Sequence, residues 1–144
     1  MKSRGIFYRL SVWTVYAGIA LMVGTGITWL LLDTFGQRES DFGLEKHPAQ
    51  FLIIRVHGAL AMGMMMIFGG LLATHVRHYW RKRKSRVTGV ALIATWSLLM
   101  ITAYTLYYAG DDTLRLAAHW THIILGIGLP AWLVAHVLKR PTSE

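Results

Sequence analysis

The sequence predicts an all-α integral membrane protein, a four-helix up-down bundle with both the N- and C-termini in the cytoplasm. Three observations lead to this prediction: an apolar composition, four long stretches without acidic residues, and loops that alternate in charge. Of the 144 residues, 54% are hydrophobic and only 15% are charged, with a mean hydropathy of +0.42. Ordinary soluble domains are about one quarter charged. The composition therefore excludes a soluble enzyme, a disordered tail and a fibrous protein.

Four stretches are long enough to cross a bilayer, since the hydrocarbon core needs about 20 mostly apolar residues per helix. None of them contains Asp or Glu. We predict a single transmembrane domain over 1–144, with spans at about 10–32, 51–79, 87–109 and 114–138. The apolar run of the first stretch is too long for a signal peptide and does not end in a small-x-small cleavage site, so we expect it to remain as a span.

The charges of the connecting segments alternate along the chain. Basic residues are Lys2, Arg4 and Arg9 before span one, Arg77, Arg81, Lys82, Arg83, Lys84 and Arg86 at the end of span two and in the loop after it, and Lys139 and Arg140 after span four. Acidic residues dominate the other two loops: Asp33, Glu39, Asp41 and Glu45 in one, Asp111 and Asp112 in the other. The positive-inside rule places the basic segments in the cytoplasm. The net charge of +8 thus reports orientation and contact with anionic lipid rather than nucleic-acid binding.

Short loops make successive spans antiparallel neighbours, so spans two and four run in the same direction. Six of the seven histidines lie at the ends of these two spans, and none lies in span one or three. His57 and His75 are 18 residues apart, which is five full α-helical turns. His122 and His136 are 14 apart, about 40° short of four turns. Each pair therefore projects from one face of its helix.

This arrangement sets His57 level with His122 near the outer side, and His75 level with His136 near the inner side. Two facing pairs of imidazoles are what two six-coordinate b-type haems require, with one neutral imidazole from each helix on each iron. The absence of cysteine excludes zinc–thiolate sites, cysteine-ligated iron–sulfur clusters and covalently attached c-type haem. We therefore predict two haem b groups, with these four histidines as the iron ligands.

Two histidines are alternative ligands. His119 could replace His122, because its 17-residue distance from His136 matches the height difference in span two better, although its azimuth is about 100° off. His78 could replace His75, but a 21-residue separation from His57 rises roughly 32 Å and would carry the ligand to the headgroups. Pro130 lies between the two ligands of span four, where we expect a kink.

Other residues near the predicted haems admit two interpretations. Arg55 and Arg115 lie at the outer membrane edge, where a guanidinium can bind a haem propionate in a bidentate manner or can simply extend towards water. The methionines at 62 and 64–66 could suggest copper(I) binding, but methionine is a common packing residue and their mid-span position favours packing.

The stretch His122-x3-Gly126-x3-Pro130-x5-His136, preceded by Leu106-Tyr107-Tyr108 and Arg115, resembles the fourth-helix region of small bacterial di-haem b-type membrane cytochromes. That group includes cytochrome b-561 and the cytochrome b subunits of hydrogenase and formate dehydrogenase. The pair His57-Gly58, His75 and the pair Thr25-Gly26 are similar to that group as well, and the resemblance runs from about Gly18 to Arg140.

The resemblance implies a four-helix bundle with two haems b in a bacterial inner membrane, often accompanied by a periplasmic c-type cytochrome. It also implies a ligand spacing of about 14 residues on a helix. His122 and His136 have this spacing, whereas His57 and His75 are 18 apart.

Three functions compete. The first is electron transfer between the quinone pool and a soluble or membrane-attached redox protein, because a bis-histidine iron has no open position for substrate. The second is a quinol-linked oxidoreductase acting on a small species at the outer haem, with His119, Trp120 and Thr121 as candidate site residues. The third is a metal transporter, which is disfavoured because the spans contain no carboxylates, or a structural subunit, which would not need histidines at both ends of two specific helices. Whether the chain is itself an enzyme, and whether it forms a homodimer, stay open.

Overall fold

Four helices dominate the computed structural model, which describes residues 3–41, 43–77 and 86–138, with side chains from residue 12 onward. The helices are α1 (Ser3–Phe35), α2 (Ala49–Leu71), α3 (Arg86–Tyr108) and α4 (Asp112–Leu138), with a π-helical turn at Leu72–Val76 directly after α2 and two short strands, β1 (Arg38–Ser40) and β2 (Gly43–Glu45), between α1 and α2. All four helices are long and apolar enough to cross a membrane. The prediction of a multi-pass, helical membrane protein is thereby confirmed. Residues 78 and 79 of the second predicted span lie outside the described residues.

The chain forms two compact units, Met1–Leu71 and Leu72–Glu144. In the first unit α1 packs against α2, and in the second α3 packs against α4. Within each unit the two helices are antiparallel neighbours, as the short connections predict. Helix α4 continues through Pro130 to Leu138.

Few side chains are buried within these helix pairs, and the outer surfaces are strongly apolar. Large apolar side chains such as Trp13, Phe51, Met66 and Ile124 are exposed on the helices. Lipid chains rather than water suit such surfaces, because the helices satisfy their own backbone hydrogen bonds. Among the residues with described side chains, the buried apolar ones are Ile19 and Met64 in the first unit and Ala118 and Leu129 in the second.

The methionines at 62 and 64–66 do not share one face of α2. Met64 is buried against the α1 backbone at Gly18, where a Cβ atom would collide with its Sδ atom. Met62, Met65 and Met66 are exposed. This distribution agrees with a packing role for Met64. The four sulfur atoms do not converge on one site that could bind copper(I).

A small antiparallel hairpin, which the sequence analysis did not predict, occupies the loop between α1 and α2. Arg38 pairs with Glu45 and Ser40 with Gly43. Gly43 has a φ of 109°, a left-handed conformation that glycine adopts without the steric cost that a Cβ atom brings. The acidic side chains of this loop are exposed, at Glu39, Asp41 and Glu45.

Asp33 at the end of α1 joins the hairpin to the start of α2. Its Oδ1 accepts a hydrogen bond of 2.8 Å from Nε2 of Gln50, a side chain that is only 4% exposed. The same carboxylate oxygen lies 3.8 Å from Nζ of Lys46, which is exposed. The Gln50 bond is the more important of the two, since a buried amide needs a partner and an exposed ion pair contributes little.

We expect Gly18→Ile to destabilise the α1–α2 packing by roughly 1–3 kcal/mol, because the new side chain must displace the buried Met64. Gly24→Ile is the matched control on the same helix, since a Cβ atom at that position meets nothing within 4 Å. Thermal unfolding in detergent micelles would compare the two. Equal melting temperatures for both variants would contradict the assigned contact.

We expect Asp33→Ala to lower the free energy of unfolding by about 1–3 kcal/mol, because it leaves the buried amide of Gln50 without its acceptor. Asp33→Asn should retain most of the stability, since an amide oxygen can still accept the bond. Asp41→Ala, at an exposed position of the same loop, is the control for lost charge. Denaturant unfolding would measure all three, and an effect at Asp41 as large as that at Asp33 would refute this explanation.

Candidate functional site

In the first unit, the imidazole of His57 is held by α1. Its Nδ1 lies 2.8 Å from Oγ1 of Thr25 on the neighbouring helix. The next residue on α1 is Gly26, where a Cβ atom would lie 3.4 Å from Cε1 of the same ring. Thr25 therefore gives the His57 ring a polar partner, and Gly26, which has no side chain, lets the ring lie close to the α1 backbone.

Thr25 also contacts the backbone of its own helix. Its Oγ1 lies 2.8 Å from the carbonyl oxygen of Leu21 and 3.1 Å from that of Met22. Carbonyl oxygens can only accept, so a bond to either of them takes the single hydroxyl proton of Thr25. In that arrangement Nδ1 of His57 donates to Oγ1, and in the neutral imidazole the lone pair lies on Nε2.

In the second unit, Thr102 on α3 repeats this arrangement for His122 on α4. Oγ1 of Thr102 lies 2.9 Å from Nδ1 of His122. The same oxygen lies 2.8 Å from the carbonyl of Leu98 and 3.1 Å from that of Leu99. With the hydroxyl proton on one of these carbonyls, His122 donates through Nδ1 and carries its lone pair on Nε2.

Thr88 holds His136 at the other end of the same helix pair. Its Oγ1 lies 2.9 Å from Nδ1 of His136. A Cβ atom at the adjacent Gly89 would lie 3.6 Å from Cε1 of that ring. The Thr88-Gly89 pair thus repeats, on α3, the relation that Thr25-Gly26 has to His57 on α1.

The alignment of α3 against α4 explains both threonine–histidine contacts of the second unit, Thr88 with His136 and Thr102 with His122. Thr88 and Thr102 are 14 residues apart, as are His122 and His136, and the antiparallel helices match the pairs in reverse order. Thr95 and Leu129, each midway, are buried as well. Of the four buried polar residues in the part of the chain whose side chains are described, three are threonines of α3: Thr88, Thr95 and Thr102. A buried hydroxyl is costly unless it is hydrogen bonded, and these three are.

His75, the fourth predicted ligand, lies in the π-helical turn Leu72–Val76 and is half-buried. The sequence analysis assumed a regular α-helix from His57 to His75, in which 18 residues make five turns. A π turn contains more residues per turn than an α turn, so that arithmetic does not apply through this segment. Single π turns inside helices occur frequently at functional sites.

The alternative ligands differ from the preferred ones in their surroundings. His119 is half-buried, and its ring lies 5.4 Å from that of Trp120 in an edge-on arrangement. His122, by contrast, is bonded to a buried hydroxyl of the neighbouring helix. The other alternative, His78, lies outside the described residues. His47, in the loop, caps α2 by accepting a bond of 3.1 Å from the backbone N–H of Ala49 at its Nδ1.

Arg55 and Arg115 are both exposed near the starts of their helices. The guanidinium of Arg55 lies 5.3 Å from the centre of the Phe51 ring, one turn earlier on α2. Their role towards haem propionates stays a prediction. The pairing of His57 with His122, and of His75 with His136, would join the two compact units, and it stays a prediction as well.

The chemistry of these side chains suits a metal that takes one imidazole nitrogen from each of two helices. Metal-bound histidines almost always donate their other ring N–H to a fixed acceptor, and His57, His122 and His136 each have one in a threonine hydroxyl. No group of three or more His, Asp or Glu side chains is arranged to hold a metal ion in residues 3–41, 43–77 and 86–138. A bis-histidine haem needs only two such side chains per iron.

The sequence analysis missed the threonines. Thr25 and Gly26 entered it only through the family resemblance, and Thr88 and Thr102 did not enter it at all. The equal 14-residue spacings of the α3 threonines and the α4 histidines were the available signal, because antiparallel packing brings equal spacings together.

Comparison of the chain with protein-family models, with curated proteins and with solved structures found no match.

Proposed function

We propose that this chain is a membrane di-haem b-type cytochrome that carries electrons across the bilayer, between the quinone pool and a redox partner. The observation that supports it best is the threonine partner at Nδ1 of three of the four predicted ligands, His57, His122 and His136. In this proposal each of these histidines donates through Nδ1 to its threonine, and Nε2 is the nitrogen that would bind iron. When bound, the two haems would supply one-electron redox centres without an open coordination position.

In this proposal His57 and His122 hold the outer haem, and His75 and His136 hold the inner one. His57 lies eight residues into α2, about 12 Å along its axis, and His122 lies ten residues into α4, about 15 Å along its axis. The two ligands therefore lie at similar depths from the starts of their helices. Because spans two and four run in the same direction in the proposed bundle, these depths favour a shared haem.

The distance between the two sites suits a path across the membrane. The 14 residues from His122 to His136 rise about 21 Å along α4. A hydrocarbon core is about 30 Å thick, so both histidines fall inside the apolar layer, one towards each side. Neutral imidazoles with bonded N–H groups are compatible with such depth, whereas charged side chains are not.

The charge pattern supports the orientation and the choice of partner. In the proposed orientation, which follows from the positive-inside rule, the basic segments are cytoplasmic and the hairpin loop is on the outer face of a bacterial inner membrane. The exposed carboxylates of that loop, at Glu39, Asp41 and Glu45, would attract a redox protein with a basic surface, such as a periplasmic c-type cytochrome. The lipid-facing apolar surfaces give quinone a route to the protein within the membrane.

The experiment that tests the proposal is a count of haems in purified variants. Wild-type protein should contain two haems per chain by pyridine haemochrome assay, and His122→Ala should contain one, because one iron loses an axial ligand. His119→Ala is the matched control three residues away, and it should keep both. A wild-type preparation without haem would refute the function, and loss of one haem from His119→Ala alone would move the outer ligand to that residue.

We also expect Gly26→Val to reduce occupancy of the outer haem while the inner haem is kept. A Cβ atom at Gly26 already lies 3.4 Å from Cε1 of His57, and the branches of valine would push that ring away from Thr25. Gly24→Val, on the same helix but facing open space, should keep both haems. Optical spectra of the dithionite-reduced proteins would measure the occupancy, and full occupancy in Gly26→Val would rule out the close contact.

A further inference from the structure

We infer that Thr25, Thr88 and Thr102 are positioning residues that fix the tautomer and the ring orientation of the haem-ligating histidines and thereby set the reduction potential of each haem separately. The inference rests on the proposed function. It assigns a role to side chains that do not touch the iron, and it makes that role specific to one haem or the other.

The helix backbone offers an acceptor to the hydroxyl of Thr25 and to that of Thr102. A carbonyl oxygen one turn earlier lies 2.8 Å from Oγ1 in both cases. With the hydroxyl proton on that carbonyl, Oγ1 accepts the hydrogen bond from the N–H group at Nδ1 of the histidine. This arrangement leaves the lone pair on Nε2, which is then the nitrogen that would bind iron.

A bonded N–H group makes an imidazole a stronger electron donor to its metal. A stronger donor stabilises the ferric state relative to the ferrous state and lowers the reduction potential. Removal of the hydroxyl should therefore shift the potential of the affected haem to a more positive value. Thr25 and Thr102 act on the two ligands of the proposed outer haem, and Thr88 acts on His136 of the inner one.

Thr95 provides a matched control within the same helix face. It lies seven residues from both Thr88 and Thr102, it is 5% exposed, and its hydroxyl donates to the carbonyl of Ala91 at 2.9 Å. It therefore shares residue type and burial with Thr88 and Thr102, and it shares the bond to a backbone carbonyl with Thr102. It differs in its position, midway between the two histidines of α4.

The test is a redox titration and an electron paramagnetic resonance spectrum of the haem-loaded full-length protein in detergent. Thr102→Val, which keeps the shape but removes the hydroxyl, should raise one of the two midpoint potentials and shift one low-spin ferric signal. Thr88→Val should move the other potential and the other signal. Thr102→Ser should restore the wild-type values, and Thr95→Val should leave both haems unchanged.

Several outcomes decide the inference. Loss of one haem from Thr102→Val, with both kept in Thr102→Ser and Thr95→Val, would support it as well, since the ring then needs its partner to bind iron at all. Unchanged potentials and spectra in Thr102→Val and Thr25→Val would overturn it, as would equal shifts in Thr95→Val. These results all presuppose two haems in the wild type, so a haem-free wild type would be recognised as failure of the proposed function instead.

Discussion

The hydrogen bond between a threonine hydroxyl and Nδ1 of a histidine on the neighbouring helix is the interaction on which the rest of this protein depends. An imidazole in an apolar layer has a donor and an acceptor to satisfy, and unsatisfied polar groups are costly there. In His57 and His122, Nδ1 lies within hydrogen-bond distance of a threonine hydroxyl. This contact gives one ring nitrogen of each imidazole a partner, and in the proposed function it leaves Nε2 for iron.

The same interaction sets how the helices of each unit align. On α3 the buried threonines recur every seven residues, and on α4 His122, Leu129 and His136 follow the same spacing in the opposite direction. A shift of one helix by a single residue would leave Thr88 and Thr102 facing the wrong side chains simultaneously. In the first unit, the Thr25–His57 bond and the Gly18–Met64 contact, each seven residues from the other, define the register in the same way.

Sequence reasoning found the four membrane-length helices and the histidine-rich ends of two of them, because apolar length and residue type are local properties. It did not find the β1–β2 hairpin, where short polar strands lack an alternating pattern, nor the π turn at Leu72–Val76, which has no reliable local signature. The role of Thr88 and Thr102 depends on which helix packs against α4. Their 14-residue spacing equals that of His122 and His136, and it predicts the two contacts once α3 and α4 are taken as antiparallel neighbours.

The most direct test of the central claim is an experimental density map of the purified protein at a resolution that separates the imidazole nitrogens. We expect two porphyrins per chain. Nε2 of His57 and His122 should bind one iron, and Nε2 of His75 and His136 should bind the other. The threonine contacts at Nδ1 should be retained. Iron bound through Nδ1, or side chains filling the space between helices α2 and α4 without any porphyrin, would contradict it.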